Sequence, residues 1–290
     1  SKRRPTTYMS GMEMIAASKL KKARDRMEAS RPYAEKARDV IQHLSQAHPE
    51  YKHPYLVRRP FGSIGMIIVS TDRGLCGGLN TNLFKKVLQE LKTYQDKGIQ
   101  VRFAVIGHKA EQFFKRLKYE IVAYAHHLWD KPKIAELIGS VKVMLDAYQQ
   151  GEIDGLFLFS NTFVSTISQK SHMQVLLPID PQGMAASSVE TPTVSDRQSA
   201  PRWDYIYEPD AKSLLNLLLT RYIESQVYHG VIENIACEQA ARMVAMKNAT
   251  ENASDLIHDL QRIYNKARQA AITKELLEIV AGAEALKKAS

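Results

Sequence analysis

The feature that most constrains this chain is its last stretch, residues 209–286, which has no proline after Pro209 and only two glycines, Gly230 and Gly282. The stretch is rich in Ala, Leu, Glu, Lys, Gln and Arg, the residues that lose least free energy on becoming helical. Pro209 suits the first turn of a helix, where its missing N–H is not needed. A single helix of this length would extend about 115 Å, which is longer than a globular domain can accommodate.

Apolar residues recur along this stretch in steps of three and four, a spacing typical of a coiled coil. The seam consists of Met246, Ala249, Ala253, Leu256, Leu260, Ile263, Ala267 and Ala270. An ordinary core helix of a bundle is the other interpretation, but helices in globular proteins average only about three turns.

A second helical pattern runs over residues 12–47, where Ala16, Leu20 and Ala23 begin the same steps of three and four. Pro32 interrupts this pattern and Pro49 ends it. A basic run lies on its outer side: Lys19, Lys21, Lys22, Arg24 and Arg26. A solvated helix face explains the run, whereas a nucleic-acid site would interleave aromatic residues, and none is present.

Between these patterns, apolar strands alternate with helices, which predicts a mainly parallel α/β sheet with a Rossmann-like order. We predict strands at 63–70, 101–107, 119–125 and 155–160, helices at 81–95, 109–116 and 134–148, and an edge hairpin at 162–179. The fold class is therefore α/β, with a central domain and a long antiparallel coiled coil. The predicted segments are an N-terminal helix over 1–50, an α/β domain over 61–180, a connector over 181–208 and a C-terminal helix over 209–290.

Both long helices join the α/β domain, so they should begin side by side and run out as an antiparallel pair. Matching them residue by residue places Ala16 opposite Arg242 and Ser1 opposite Ile257. The rest of the C-terminal helix has no partner in this chain and protrudes by about 45 Å, although its apolar stripe continues. An exposed stripe of that length indicates a binding surface.

The turn that follows the first strand, RGLCGGLN in residues 73–80, invites a phosphate-binding interpretation. It matches neither G-x-G-x-x-G nor G-x-x-x-x-G-K-[ST], so a tight structural turn is favoured over a nucleotide site. Asp72 and Arg73 are expected to make local hydrogen bonds or an interface contact.

Metal and catalytic sites are not indicated. His126 and His127, with Asp130, are poor co-ligands because adjacent residues at a strand end point to opposite sides. No Ser/His/Asp set, carboxylate pair or Cys-x-x-Cys stands out. We therefore expect no cofactor, no metal and no enzyme activity in the chain by itself.

Charge and composition limit the partners and the compartment. The net charge is +9 and the pI about 9.4, which favours an acidic partner. Two cysteines, Cys76 and Cys237, are too few for a disulfide framework and favour a reducing compartment. No run is long enough to span a membrane, and the first residues, SKRRPTTYMSG, do not form a signal peptide. We expect a soluble protein or one that associates with a membrane only through partners.

Six motifs together resemble the gamma-subunit family of bacterial F-type ATP synthases. They are MEMIAASKL (12–20), RPYAEKAR (31–38), STDRGLCGGLNTNLFKK (70–86), WDYIYEPD (203–210), ENIACEQAARMVAMKNAT (233–250) and ITKELLEIVAGAEA (272–285). The resemblance implies a non-catalytic rotor shaft that turns inside a ring of alpha and beta subunits. It also implies an epsilon subunit and a membrane c-ring as partners, no nucleic acid, and a peripheral position on the cytoplasmic face of the bacterial inner membrane.

The resemblance also implies roles for particular residues. Those at positions of beta-subunit contact or coupling are Met12, Lys19, Lys22, Arg242, Arg268, Gln269, Thr273 and Glu275. Those at the foot, which meets epsilon and the c-ring, are Tyr205, Tyr207 and Glu208. The basic run gains an acidic partner, because the beta subunits of the family present an acidic loop.

One departure from the family lies ahead of Met12, where SKRRPTTYMSG replaces a helical extension. Pro5 and Gly11 are both poor in a helix, so the first helix is expected to begin only near Met12. Two other functions stay open at this point: a homodimeric coiled-coil scaffold and a nucleotide-binding α/β enzyme.

Overall fold

Two long helices dominate the structure. The computed structural model describes residues 4–47, 53–125, 134–180 and 211–289. Helix α1 spans Arg4–Ala47 and helix α5 spans Ala211–Ala289, the latter 79 residues long, or about 120 Å. Within the described ranges, no helix combines the length and apolar character needed to cross a bilayer.

In the sequence, five strands lie between the long helices: β1 Ser63–Val69, β2 Gln100–Ile106, β3 Ile121–Ala125, β4 Gly155–Phe163 and β5 Gln169–Leu177. The helices among them are α2 Leu79–Gln95, α3 His108–Arg116 and α4 Ile134–Gln149. The strands form one sheet with the order β3-β2-β1-β4-β5, in which β1 to β4 are parallel and β5 pairs antiparallel with β4 at the edge. The predicted α/β class is confirmed. The hairpin predicted within 162–179 is formed instead by β4 and β5, because β4 continues through Phe163.

Helices cover both faces of the sheet, as expected for parallel strands buried on both sides. Along β1, Met66 and Ile68 pack with α2 and α3, while Ile67 and Val69 face the opposite layer. That opposite layer contains α4 and the base of α5, which contributes Leu219, Ile223 and Val227 to the core. The long helix therefore starts as a structural part of the α/β domain.

The two long helices pack against each other along a seam of small residues. Leu20 and Ala23 of α1 lie in one buried cluster with Ala236 and Ala240 of α5. This register agrees with the predicted pairing of Ala16 with Arg242. From residue 258 to residue 283, every side chain of α5 is exposed, in agreement with the prediction that this segment protrudes from the rest of the chain. We call residues 258–283 the tip.

The predicted start of α1 near Met12 is wrong, because the helix begins at Arg4. Pro5 lies in the first turn, where its missing N–H costs no hydrogen bond. The unfavourable helix propensity of Gly11 is only about 1 kcal/mol, which is small in a helix of 44 residues. The helix also continues through Pro32. The predicted connector over 181–208 lies outside the described residues, so the predicted segment boundaries stay predictions.

Candidate functional site

Large apolar side chains are exposed along the tip. Their exposed fractions range from 45% for Ile272 to 67% for Ile279. Together they form what we call the tip stripe: Leu260, Ile263, Tyr264, Ile272, Leu276, Leu277, Ile279 and Val280. Soluble monomers rarely expose a contiguous apolar surface of this kind, which marks an interaction site.

Four residues predicted to contact a partner subunit lie on the tip. Arg268, Gln269, Thr273 and Glu275 are all exposed. The Thr273 Oγ1 donates to the carbonyl oxygen of Gln269 at 2.9 Å, so this hydroxyl is already bonded within the helix. The structure thus brings these four residues together beside the tip stripe.

The other predicted contact residues lie nearer to the α/β domain. Lys22 is exposed on α1, whereas Met12 and Lys19 are half-buried. Lys19 lines a cavity of about 60 Å³ between α1, α5 and the glycine-rich turn, which we define as residues 71–80. The predicted foot residues Tyr205, Tyr207 and Glu208 lie outside the described residues.

Among the predicted contact residues that the structure describes, Arg242 alone is buried, with 8% of its surface exposed. Its Nη2 bonds Glu238 Oε1 at 2.5 Å and donates to the carbonyl oxygen of Gly74 at 3.1 Å. The side chain therefore ties the glycine-rich turn to α5. Sequence reasoning missed this intramolecular contact, and the contact with another subunit stays a prediction.

The glycine-rich turn is held by its own side chains. The Asn80 Nδ2 donates to Thr71 Oγ1 at 2.7 Å, and Thr71 Oγ1 donates to the Arg73 carbonyl oxygen at 2.6 Å. Cys76 is buried against Leu79 and against Cys237 of α5. These contacts make the turn a packed structural element, as the sequence predicted.

Asp72, at the start of this turn, was expected to make local hydrogen bonds or an interface contact, but its hydrogen bond reaches a separate element of the domain. Its Oδ1 accepts from the backbone N–H of His108 at 3.0 Å, at the first residue of α3. A carboxylate in this position satisfies a helix N–H that has no partner within the helix.

The crevice where α/β sheets usually bind ligands is filled in this chain. Open parallel sheets bind ligands outside the carboxyl ends of their strands. Here Ser70 and Gly107, next to the ends of β1 and β2, face Lys19 of α1 and Gln239 of α5 across the cavity of about 60 Å³. Because ligand pockets usually measure about 300–1,000 Å³, this crevice has no room for a nucleotide.

Buried polar groups join α5 to β4. The Asn161 Nδ2 donates to Asn234 Oδ1 at 2.8 Å, and the Phe163 N–H donates to Glu233 Oε1 at 3.0 Å. Burial raises the pKa of Glu233, and this hydrogen bond opposes the shift. Burial likewise raises the pKa of the Cys237 thiol, so the thiol is protonated at neutral pH. We refer to the Asn161–Asn234 and Phe163–Glu233 bonds as the polar bridge.

No group of three or more His, Cys, Asp or Glu side chains in the described part of the chain is arranged to hold a metal ion. His126, His127 and Asp130, weighed as ligands from the sequence, lie outside the described residues.

Comparison with known proteins decides the family. The model of a family described as ATP synthase matches residues 6–286. A curated relative, the ATP synthase gamma chain of Nitrosococcus oceani, is 58% identical over 275 residues, which cover 95% of this chain and 92% of the relative. The chain belongs to the ATP synthase gamma-chain family.

Two solved structures share the fold of this chain. One is the central stalk and c-ring of Tetrahymena thermophila mitochondrial ATP synthase, with 22% identity, a TM-score of 0.59, and coverage of 84% of this chain and 99% of that one. Another is the Euglena gracilis mitochondrial ATP synthase in rotational state 3, with 19% identity, a TM-score of 0.57, and coverage of 96% and 95%.

The gamma-family resemblance inferred from the sequence motifs is confirmed. Membership in the gamma-chain family makes the chain a subunit of an ATP synthase, a membrane-associated complex.

Proposed function

We propose that this chain is the central rotor shaft of a bacterial ATP synthase and couples proton flow through a membrane c-ring to ATP synthesis or hydrolysis on the beta subunits. The observation that carries this proposal is the course of α5. It runs as one helix from the core of the α/β domain to the exposed tip stripe. Family membership supports the same role.

The base of α5 is suited to transmit torque. An added Cβ at Gly230 would lie 3.0 Å from Leu158 Cδ2, which shows how closely the helix approaches β4. The polar bridge and the contact between Arg242 and Gly74 add directional bonds near this place. Rotation of the α/β domain therefore turns the helix with it.

The tip is suited to turn inside a sleeve of alpha and beta subunits. Its apolar side chains offer a surface without fixed hydrogen bonds, while Arg268, Gln269, Thr273 and Glu275 offer polar contacts that form at particular angles. The basic run, with Lys19 and Lys22, faces an acidic loop of a beta subunit, and Met12 and Arg242 contribute to coupling. Catalysis takes place on the beta subunits, and this chain is not itself an enzyme.

The foot binds an epsilon subunit and the c-ring through Tyr205, Tyr207 and Glu208. These partners hold the chain at the cytoplasmic face of the bacterial inner membrane, where it is a peripheral protein. No cofactor and no nucleic acid take part.

Co-expression with alpha and beta subunits of a close relative tests the proposal. We expect the three chains to purify as one ATPase. Leu260→Asp combined with Ile263→Asp places charges on the tip stripe and should prevent this assembly, whereas Leu117→Asp, at an exposed position after α3, should not. If the complex is recovered equally well with the native chain, with the tip variant and with Leu117→Asp, the tip is not enclosed by the other subunits and the proposal is contradicted.

The exposed heptad seam favours one alternative, a homodimeric coiled-coil scaffold, because a second copy would also cover it. The molar mass of the three-chain complex, measured by light scattering, distinguishes the two functions. A shaft requires one copy of this chain per complex, whereas a homodimeric scaffold requires two.

A further inference from the structure

A groove runs between α2 and α3 on the outer face of the α/β domain, and no described residue of either long helix lines it. Its volume is about 780 Å³, within the usual range of ligand pockets. The floor is apolar and includes Phe84, Leu88 and Phe113. The rings of Phe84 and Phe113 are stacked with their centroids 4.6 Å apart, so the two helices meet at the bottom of the groove.

The rim of the groove is positively charged. Lys85, Lys92, Lys109 and Arg116 line it, and no aspartate or glutamate does. None of these four side chains forms an ion pair with another residue in the described part of the chain. By contrast, Lys115 of α3 pairs with Glu111 at 2.7 Å. The groove therefore has uncompensated positive charge above an apolar floor, which complements a ligand that is anionic and apolar.

The sheet topology fixes how the cations are distributed. Helices α2 and α3 each return from one parallel strand to the next, so they run in the same direction. Lys109 lies at the end of the groove near Gly74 and Leu75, and Lys92 and Arg116 lie at the opposite end. Leu75, which is 61% exposed, covers the first end with an apolar side chain.

We propose that this groove binds a monomeric single-chain amphipathic anion, an alkyl chain that ends in a carboxylate. The alkyl chain lies on Phe84, Leu88 and Phe113 and points towards Leu75. The carboxylate is bound by Arg116 and Lys92, because a guanidinium forms paired hydrogen bonds to a carboxylate. The aliphatic stems of Lys85 and Lys109 lie along the sides of the chain.

A slim ligand fits this groove better than a partner helix. A helix is about 10 Å wide with its side chains, and it docks by laying a row of its apolar side chains along an accessible apolar groove. Here Phe84 is buried, Leu88 and Phe113 are half-buried, and Leu75 is the single large apolar lining residue classed as exposed. The floor is recessed below its cations, which favours an alkyl chain over a peptide.

Calorimetry on the purified full chain tests the site, with dodecanoate kept below its micelle concentration. Lys92→Ala with Arg116→Ala should weaken binding at least tenfold, and neutral dodecanol should bind at least tenfold more weakly than dodecanoate. The matched control, Lys97→Ala with Lys142→Ala, removes two exposed lysines outside the groove and should change the affinity less than twofold. Leu260→Gln with Ile263→Gln, which alters the tip stripe, should also have little effect.

Cysteine labelling locates the ligand independently of affinity. The native thiols are buried, so a maleimide should label Leu75→Cys selectively, and dodecanoate should slow that labelling. Labelling of Val143→Cys, an exposed position on α4, should not change.

Several results would overturn the proposal: equal binding of dodecanol, loss of binding in the tip variant instead of the groove variant, or unchanged labelling of Leu75→Cys. Groove-dependent binding of an acidic amphipathic peptide or of phosphatidylglycerol vesicles, without binding of dodecanoate, would also overturn it. The measurements use the chain without other subunits, so they stand or fail independently of the shaft function.

Discussion

Arg242, near the middle of α5, donates from its Nη2 to the carbonyl oxygen of Gly74 at 3.1 Å, across most of the sequence. The same guanidinium bonds Glu238 one turn earlier at 2.5 Å, and both side chains are almost fully buried. A charge pair in this setting positions the glycine-rich turn against the long helix. Removal of the guanidinium takes this ion pair away from a largely buried carboxylate.

Arg242→Ala should therefore destabilise the chain by about 3 kcal/mol, the cost of breaking a buried ion pair from one side. Arg262→Ala is the matched control, since Arg262 pairs with Asp259 at 3.0 Å on the exposed tip, where such pairs contribute little. Urea unfolding followed by circular dichroism compares the two. Similar midpoints for both variants would show that the Arg242 pair is not structural.

Gly107 and Gly98 differ in what a side chain would meet. Both have positive φ, at +100° and +71°. An added Cβ at Gly107 would lie 2.3 Å from the Ser70 carbonyl oxygen, and one at Gly98 would meet no atom within 4 Å. Gly98→Ala should cost about 1–2 kcal/mol from backbone strain alone, and Gly107→Ala about 4 kcal/mol or more. Unfolding midpoints test this order, and equal losses would contradict the close approach of α3 to β1.

His53 should make stability depend on pH. Its Nδ1 accepts the Tyr55 N–H at 3.1 Å and its Nε2 faces Asn216 Oδ1 at 3.1 Å. Burial lowers the pKa of His53, and the hydrogen bond with Asn216 opposes the shift. As the pH falls, the imidazole is therefore protonated in the unfolded chain before it is protonated in the folded one. The contribution of His53 to the free energy of unfolding should be fully present above about pH 6.5 and be lost as the pH drops below it.

The check is to compare melting temperatures at pH 7.5 and 5.5. The melting temperatures at pH 7.5 and pH 5.5 should differ less for His53→Gln than for the native chain. His172, whose pKa is also lowered by burial and by Lys86, contributes in the same direction, so the double variant should show the smallest difference. An unchanged pH dependence in His53→Gln would mean that this imidazole does not control it.

Arg268→Ala with Gln269→Ala should slow ATP turnover in the assembled complex by about tenfold to a hundredfold. A charge-assisted hydrogen bond to a partly desolvated carboxylate contributes roughly 1.5–3 kcal/mol, and each 1.4 kcal/mol corresponds to tenfold. Helicity should not change, because both side chains are exposed. Gln261→Ala with Arg262→Ala is the control on the same helix. Normal turnover in Arg268→Ala with Gln269→Ala would mean that the tip turns inside the other subunits without specific polar contacts at these two residues.

The long helices and the sheet could be predicted because their signals are local. Steps of three and four identify α5 over its whole length, and alternating strands and helices identify the sheet. The approximate register of α1 against α5 also followed from the sequence, because two antiparallel helices that meet at one point leave a single way to match residues. The start of α1 was missed because helix propensity at Pro5 and Gly11 is weak beside the packing of a long helix.

The contacts between distant segments could not be predicted. Nothing local marks Asn234 as the partner of Asn161, or Arg242 as the partner of Gly74, because each pair joins residues from separate elements. The groove between α2 and α3 was missed for the same reason. Its cations belong to two helices, and in the sequence each looks like an ordinary solvated side chain.

The pairing of α1 with α5 also determines when this protein can fold. The ribosome makes α1 first and α5 last, at about 5–20 residues per second, yet Leu20 and Ala23 lie in a buried cluster that includes Ala236 and Ala240 of α5. The core on one face of the sheet is likewise incomplete until Leu219 and Ile223 of α5 have been made. A nascent chain is thus left with an unpaired first helix and an incompletely covered sheet until synthesis is nearly complete, and a chain that stops before α5 cannot complete this core.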